Sequence, residues 1–272
     1  MWAGGKTKMI KNYLPYMPDS VRVYSEPFLG GGAMFLYVYG RYRPEKSYLC
    51  DSNQGIVSIY RAVRDSLHEF KSELASLDSV FIPLAKSDRK RMYYDVRQAH
   101  AYDYRSWSPV KEAAVLYFLM KTGFNGIWQI NKNTNGRFGT PCGLLNQKTT
   151  CFDWGAIDHW HGALQHAELL CGDWSTCPPG DFTFLDPPYR DSFTTYGTGW
   201  GDAECEALMA AARSIPGRVF LCNRDDGSDY FESRRDGMDL HTFPVTYTAG
   251  RRKRTDDGFA AKQATEVLLV KG

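Results

Sequence analysis

Four consecutive residues, Asp186-Pro187-Pro188-Tyr189, follow the apolar run Phe182-Thr183-Phe184-Leu185. A carboxylate next to a backbone carbonyl can accept both N–H protons of an amine. That matters most for an amine conjugated to an aromatic ring, a poor nucleophile because its lone pair is delocalised. Two acceptors favour a pyramidal nitrogen with its lone pair turned toward an electrophile. The two prolines fix φ and remove their own N–H groups, which leaves carbonyls available. Tyr189 adds a face on which a flat base can stack. The plain alternative is a rigid turn at a strand end.

A second group lies near the start of the chain. Glu26-Pro27-Phe28-Leu29-Gly30-Gly31-Gly32 follows the short apolar run Val21–Tyr24 and precedes Ala33–Val38, which suits a helix start. Glycines let a backbone approach a ligand closely, and a helix start offers free N–H groups. The dinucleotide fingerprint G-x-G-x-x-G/A fails here, because Gly30 and Gly32 are followed by Phe35 in the third position. Asp51 ends the next apolar run, Ser47–Cys50, 19 residues after Gly32. A carboxylate there can accept both hydroxyls of a ribose. Gly loop and carboxylate together suit an adenosine ligand without a pyrophosphate, and S-adenosylmethionine is such a ligand; a structural glycine turn is the alternative. Gly5-Lys6-Thr7 lacks the upstream glycine and strand of a nucleotide-triphosphate loop.

These residues need a frame that brings strand ends together. Apolar runs at Ala167–Cys171, Asp181–Leu185, Arg218–Cys222, Leu240–Thr248 and Glu266–Val270 predict further strands. Ile56, Ile59, Tyr60, Val63, Leu67, Phe70, Leu74 and Leu77 recur every three or four residues, which predicts one long amphipathic helix. Ala113–Met120 and Asp202–Ser214 also suit helices, whereas 81–107 shows no clear period. Strands alternating with helices predict an α/β fold: a Rossmann-like, mostly parallel sheet with helices on both faces. Ligands of such sheets bind at the carboxyl ends of the strands. Glu26, Asp51, Asp173 and Asp186 all fall at such ends. Between Gly123 and Pro141 the pattern changes. Ile127–Asn131 alternates, Asn135-Gly136 is a turn signal and Arg137–Thr140 can return, which predicts a β-hairpin with a polar tip.

Taken together, these motifs resemble the Dam-type DNA adenine methyltransferases, in the family's order and over most of the chain. Trp2-Ala3-Gly4-Gly5-Lys6 looks like the N-terminal cofactor motif, and Glu26–Leu36 like the P-F-x-G-x-G loop with its flanks. Asp51-Ser52-Asn53 looks like the acidic ribose motif, and Asp186–Tyr189 matches the catalytic tetrad. The resemblance implies a methyltransferase sheet from residues 1–54 and 151–272, with a mainly helical target-recognition domain inserted at 55–150. It implies a cofactor site for S-adenosyl-L-methionine lined by Trp2, Gly5, Lys6, Glu26, Pro27, Phe28, Gly30, Gly32, Asp51 and Asp186, with Asp173 and Trp174 at the adenine end. It also implies catalysis by Asp186, Pro187, Pro188 and Tyr189 on an adenine flipped out of duplex DNA, with no metal. The target would be GATC or a variant of it.

Gly123-Phe124-Asn125-Gly126-Ile127-Trp128-Gln129-Ile130-Asn131 looks like the family's hairpin that enters the major groove. Phe124, Asn125, Ile127, Gln129, Asn131 and Arg137 are its candidate DNA contacts. Where the family usually has an arginine for guanine, this chain has Gln129, and glutamine pairs best with adenine edges. Either the target departs from GATC, or Gln129 tolerates guanine, or another side chain reads it. Met1 stands where a lysine commonly precedes the motif tryptophan. Phe124 either fills the gap left by a flipped base or packs in the core. Arg251, Arg252 and Arg254 either contact phosphates or form a solvated loop. RNA-directed relatives share the D-P-P-Y tetrad, so an RNA adenine methyltransferase is one alternative. A catalytically inactive cofactor-binding DNA protein is another.

Composition bounds the rest. Of 272 residues, 43 % are hydrophobic and 24 % charged, which excludes a disordered or collagen-like chain. The formal net charge of +2 looks unpromising for a polyanion partner. It averages two parts, however: 55–150 carries +6 and the remainder −4. The basic part is the implied DNA-facing insert. Seven scattered cysteines without a C-x-x-C predict reduced thiols. No apolar run spans a bilayer and no signal-peptide core is present, so a cytoplasmic protein of bacterial or phage type is expected, with no membrane partner and no obligate protein partner inferred. His159, His161 and His166 lack the pattern of a metal site.

Overall fold

The computed structural model of the chain describes residues 6–190, 200–247, 253–255, 258–260 and 262–272. Trp2, Gly5, Arg251 and Arg252 lie outside the described residues, as does the side chain of Arg254. In chain order the elements are α1 (Ile10–Tyr13), β1 (Val23–Glu26), α2 (Ala33–Tyr42), β2 (Lys46–Asp51), α3 (Gln54–Asp65), α4 (Leu67–Phe81), α5 (Lys86–Tyr102), α6 (Pro109–Thr122) and α7 (Trp154–Leu164). There follow β3 (Ala167–Cys171), β4 (Phe182–Leu185), α8 (Asp202–Ser214), β5 (Arg218–Asp225), α9 (Tyr230–Arg234), β6 (Asp239–Tyr247), β7 (Lys253–Thr255), β8 (Gly258–Ala260) and β9 (Lys262–Lys271).

Seven strands form one sheet in the order β3-β2-β1-β4-β5-β9-β6. Its centre is parallel: β1 pairs with β2 and β4, and β4 with β5. The far edge is antiparallel, where β9 runs against both β5 and β6. The expected α/β sheet flanked by helices is therefore the fold, and its parallel strands carry β1, β2 and β4 to a common carboxyl edge. This geometry puts Glu26, Asp51 and Asp186 side by side.

Two compact units emerge from the contacts. One comprises the described residues of 6–52, 172–190 and 200–272; the other is Asn53–Cys171. In the first, every residue of β4 is buried. Alternate side chains explain why. Phe182 and Phe184 point to a face filled by Tyr13, Tyr24 and Phe220, with ring centroids 5.0–6.4 Å apart. Leu185 points to the other, where it meets Val219, Leu221, Val267 and Leu269 with Leu208, Met209 and Ala212 of α8. A strand apolar on both faces is the signature of a central parallel strand.

The Asn53–Cys171 unit is mainly helical. Asn53 caps α3 by accepting from Gly55 N and Ile56 N, Ser108 caps α6 ahead of Pro109 and Asp153 caps α7. Phe118 of α6 packs against Phe81 of α4 and against Phe152, just ahead of α7. Here the structure departs from the periodicity in three ways. The single helix over Ile56–Leu77 is two helices, because Ser66 leaves helical geometry at φ −142°. The stretch without a period holds the 17-residue α5, whose outward face is so polar that only Tyr93, His100 and Ala101 are buried. The hairpin is reduced to isolated antiparallel bridges, Ile130 with Phe138 and Gly123 with Cys142. Its turn uses left-handed Asn135 and Gly136. Among the described residues no helix is long and apolar enough to cross a membrane, and no cluster of three His, Cys, Asp or Glu could hold a metal.

At the start of β5 the chain needs glycine. Gly217 has φ +77°, and a Cβ there would sit 2.5 Å from the backbone oxygen of Asp181. Gly217→Ala should therefore cost roughly 1–3 kcal/mol. Urea unfolding at neutral pH measures it, and an unchanged midpoint would refute the strain argument.

Candidate active site

The site is built at the carboxyl ends of three neighbouring strands. Asp186 follows β4 and forms an ion pair with Lys6, Nζ to Oδ1 2.7 Å; the side chains are 19 % and 5 % exposed. Lys6 Nζ also donates to the Tyr189 hydroxyl at 2.7 Å. That hydroxyl in turn donates to Glu266 Oε1 at 2.5 Å, and Glu266 Oε2 is 3.7 Å from Lys6 Nζ. Lys6 lies 4.7 Å from the centre of the Tyr189 ring, and the Arg224 guanidinium lies 5.7 Å from it. One buried ammonium thus ties the first and last residues of the Asp186–Tyr189 turn to β9.

The electrostatics follow from this packing. Burial alone would lower the Lys6 pKa, but the charge of Asp186, with Tyr189 and Glu266, reverses that and holds it well above the ordinary lysine value. Burial pushes the Asp186 carboxyl above its ordinary value, and the Lys6 ammonium opposes the push. Lys6 is therefore charged at any working pH, and Asp186 binds a proton more readily than an exposed aspartate.

Glu26 closes β1 and is 2 % exposed. Burial raises its pKa well above the usual range, opposed by the Tyr24 hydroxyl and the Phe35 N–H; Tyr24 donates at 2.8 Å. Pro27 leads into the loop. Gly30 and Gly32 adopt φ +44° and +57°, a region that favours glycine. Asp51 accepts from Gly30 N at 2.8 Å, and Leu29 N donates to the Cys50 carbonyl at 2.8 Å. The glycine loop is thereby folded onto the end of β2. Beside it Phe28 stacks on Trp174 at 6.3 Å, and Trp200 meets Phe28 edge-on at 5.5 Å. Asp173 accepts from Ser175 N and Oγ at 2.9 and 2.5 Å, which fixes the turn carrying Trp174.

The loop with the remaining predicted contacts belongs to the Asn53–Cys171 unit. Phe124 is 44 % exposed, on the solvent side rather than in the core. Asn125 is left-handed at φ +53°. Ile127 is half-buried and Asn131 exposed; Asn131 Oδ1 accepts from Asn133 N at 2.9 Å. Gln129 is half-buried and held through its backbone, its N–H donating to Thr140 Oγ1 at 3.2 Å and its carbonyl accepting from Gly139 N at 2.7 Å. Arg137 is engaged within the unit. Its guanidinium pairs with Glu112, lies 3.5 Å from the Tyr104 ring centre and is 3.3 Å from His100 Nε2. His100 itself is pushed down to about 3 by burial, then by the Arg137 charge, and stays neutral.

A family model for D12 class N6 adenine-specific DNA methyltransferases matches residues 2–227. The chain belongs to that family. Its relatives include the Type II methyltransferase M.MjaIII of Methanocaldococcus jannaschii, 31 % identical over 72 % of this chain and 71 % of its own length. The Type II methyltransferase M.CviBI of Paramecium bursaria Chlorella virus NC1A is 30 % identical over 72 % and 70 %. The DNA adenine methylase of Escherichia coli K12 is 25 % identical over 99 % and 93 %. Membership of the D12 methyltransferases makes this an adenine-specific DNA methyltransferase by family, and a methyl donor of the S-adenosylmethionine type comes with it.

Glu266 was not legible in the sequence as a member of this cluster, and it lies beyond the stretch that the D12 family model matches. Its signal was present, though: one acid in the otherwise apolar run Val267–Val270 and its flank, where a buried charge needs a partner. Tyr24, the partner of Glu26, was read only as strand.

Removing the ammonium should move the site's proton affinity. Lys6→Met takes away the charge that lowers the Asp186 pKa, so the carboxyl rises further. The titration of Asp186 in the folded protein should then move to higher pH. Carboxyl-carbon NMR titration of the parent and the variant tests this, and an unmoved Asp186 titration would contradict it.

Proposed function

We propose that this protein transfers a methyl group from S-adenosyl-L-methionine to the exocyclic 6-amino group of adenine at a specific site in double-stranded DNA. The target adenine is flipped out of the duplex into a pocket at Asp186–Tyr189, because the stacked helix hides its amine. The observation that supports this best is the placement of Glu26, Asp51 and Asp186 on three adjacent parallel strand ends, with Lys6 bonded to both Asp186 and Tyr189.

The residues fit the donor. The left-handed glycines, the Asp51 carboxylate against Gly30 N–H and the Phe28–Trp174–Trp200 rings offer close backbone, a ribose acceptor and an aromatic wall. When bound, the cofactor supplies an electrophilic methyl carbon. Pro27 and Gly32 shape its loop, and Lys6 keeps Asp186 fixed in one orientation. Asp186 and the Pro187 carbonyl accept the amine's two N–H protons and turn its lone pair outward. Pro188 rigidifies the turn, and Tyr189, anchored at its hydroxyl by Lys6 and Glu266, presents its ring to the base. Positioning of the two reactants supplies most of the acceleration. Asp186, hydrogen-bonded to that amine, takes the proton it loses or passes it to water.

Recognition belongs to the basic insert. Phe124 fills the space of the flipped base, a role its exposure supports, and Gln129 reads a base edge. The target is GATC or a variant of it, with Gln129 as the point of departure. Methyl incorporation from labelled cofactor into duplex DNA, followed by sequencing of modified bases in DNA from expressing cells, tests the reading and reports the context. RNA as the only acceptor would overturn it.

Asp186→Ala should lower methyl transfer by at least about 10²-fold while DNA binding persists; near-normal transfer would dismiss the mechanism. Gln129→Arg should shift preference toward guanine at one position of the methylated site, as read by sequencing, and an unaltered site would exclude Gln129 from readout.

A further inference from the structure

The loop that carries Gln129 has little secondary structure of its own. Two isolated bridges leave most of its backbone groups outside any ladder. Backbone bonds such as Phe124 N–H to the Pro141 carbonyl at 2.8 Å and Arg137 N–H to the Thr134 carbonyl at 2.9 Å tie its ends and its turn, and around Gln129 a buried side chain adds to them.

Thr140 is 1 % exposed. Its hydroxyl donates to the Ile127 carbonyl at 2.7 Å and accepts from Gln129 N at 3.2 Å. One oxygen therefore clasps the chain on both sides of Trp128. The neighbouring Gly139 N–H takes the Gln129 carbonyl at 2.7 Å, so both backbone groups of Gln129 are bound to residues 139 and 140. These residues are in turn held by α5. Tyr93, wholly buried, donates its hydroxyl to the Thr140 carbonyl at 2.9 Å. Arg97 Nη1 donates to the carbonyls of Gly139 and Thr140 at 2.9 and 3.0 Å. The path runs from a rigid helix, through Tyr93 and Arg97, to Thr140 and then to the backbone of Gln129.

Reading a base edge by a side-chain amide demands two hydrogen bonds of fixed direction, and a supporting shell that lets the group drift loses them. We propose that Thr140 is a specificity-positioning residue: its hydroxyl, anchored to α5 by Tyr93 and Arg97, fixes the backbone of Gln129 and so the base preference that Gln129 imposes. This rests on the assignment of Gln129 to DNA readout. Thr140 itself need touch neither base nor cofactor. A merely structural threonine would affect stability alone, whereas a positioning one affects discrimination between sequences.

The test is selection of bound duplexes from a randomised DNA library by the full-length protein, followed by sequencing of the bound fraction. Parent, Gln129→Ala, Thr140→Val, Thr140→Ser and Tyr93→Phe are compared. Valine keeps the volume and loses the hydroxyl, and serine keeps the hydroxyl. Gln129→Ala should flatten preference at one base position. Thr140→Val should reduce preference at that same position roughly five- to tenfold, with the other positions and binding to bulk DNA retained, and Thr140→Ser should restore it. Tyr93→Phe should produce a smaller loss at the same position, and it carries the test if Thr140→Val does not fold. If Gln129→Ala flattens the position while the folded Thr140→Val or Tyr93→Phe protein keeps it, positioning by Thr140 is overturned and readout by Gln129 stands. If Gln129→Ala changes no position, readout by Gln129 fails and positioning through it fails as well.

Discussion

The ammonium of Lys6 is the interaction on which the sheet-bearing unit depends. A buried cation is unfavourable unless charges and acceptors surround it. Here Asp186, the Tyr189 hydroxyl and Glu266 do so at once. The cluster draws on three places: the start of the described chain, which carries Lys6, the turn after β4, which carries Asp186 and Tyr189, and the middle of β9, which carries Glu266. The ammonium compensates the acids, and the acids hold the ammonium charged. Loss of any member leaves a buried charge short of its partner, which is more disruptive than loss of a surface pair. The turn Asp186–Tyr189 is consequently fixed before any ligand arrives.

The sheet explains why such a cluster can exist. Parallel strands bring carboxyl ends to one edge, and a central strand apolar on both faces cannot slip in register without exposing phenylalanine. Acids at the ends of β1, β2 and β4 are held adjacent by backbone hydrogen bonds of the sheet. Their mutual repulsion is then answered locally: Tyr24 for Glu26, Gly30 N–H for Asp51 and Lys6 for Asp186. The Asn53–Cys171 unit is organised differently. Its helices supply a stiff base, and its loop takes shape from side chains of that base.

Legibility in the sequence divided along the same line. The parallel sheet and its strand-end acids were readable because short, continuous apolar runs followed by Asp or Glu mark buried parallel strands and their carboxyl ends. The glycine loop and the tetrad were readable because the chemistry needs those residue types next to one another. What was hidden depended on contacts between distant segments. Glu266 is one acid in a strand until Lys6 and Tyr189 are seen beside it. Helix α5 was invisible because a mostly exposed helix has few apolar residues with which to mark a period. Arg137, by its charge a natural phosphate ligand, spends that charge on Glu112 and Tyr104. The hairpin was visible in outline, but its two bridges are joined by contacts of the Thr140 side chain, which no local pattern announces.

The separation of Lys6 from Glu266 bears on how the molecule is made. They meet across almost the whole described chain, with a helical unit formed by residues between them. Contacts of such long range close late, because their loop entropy must first be offset by everything folded in between. During synthesis the helical unit can fold while β9 is still in the ribosome. The tetrad would then have its carboxylate before it had its full set of partners. The buried cluster around Lys6 is complete only once the last antiparallel strand has joined the sheet.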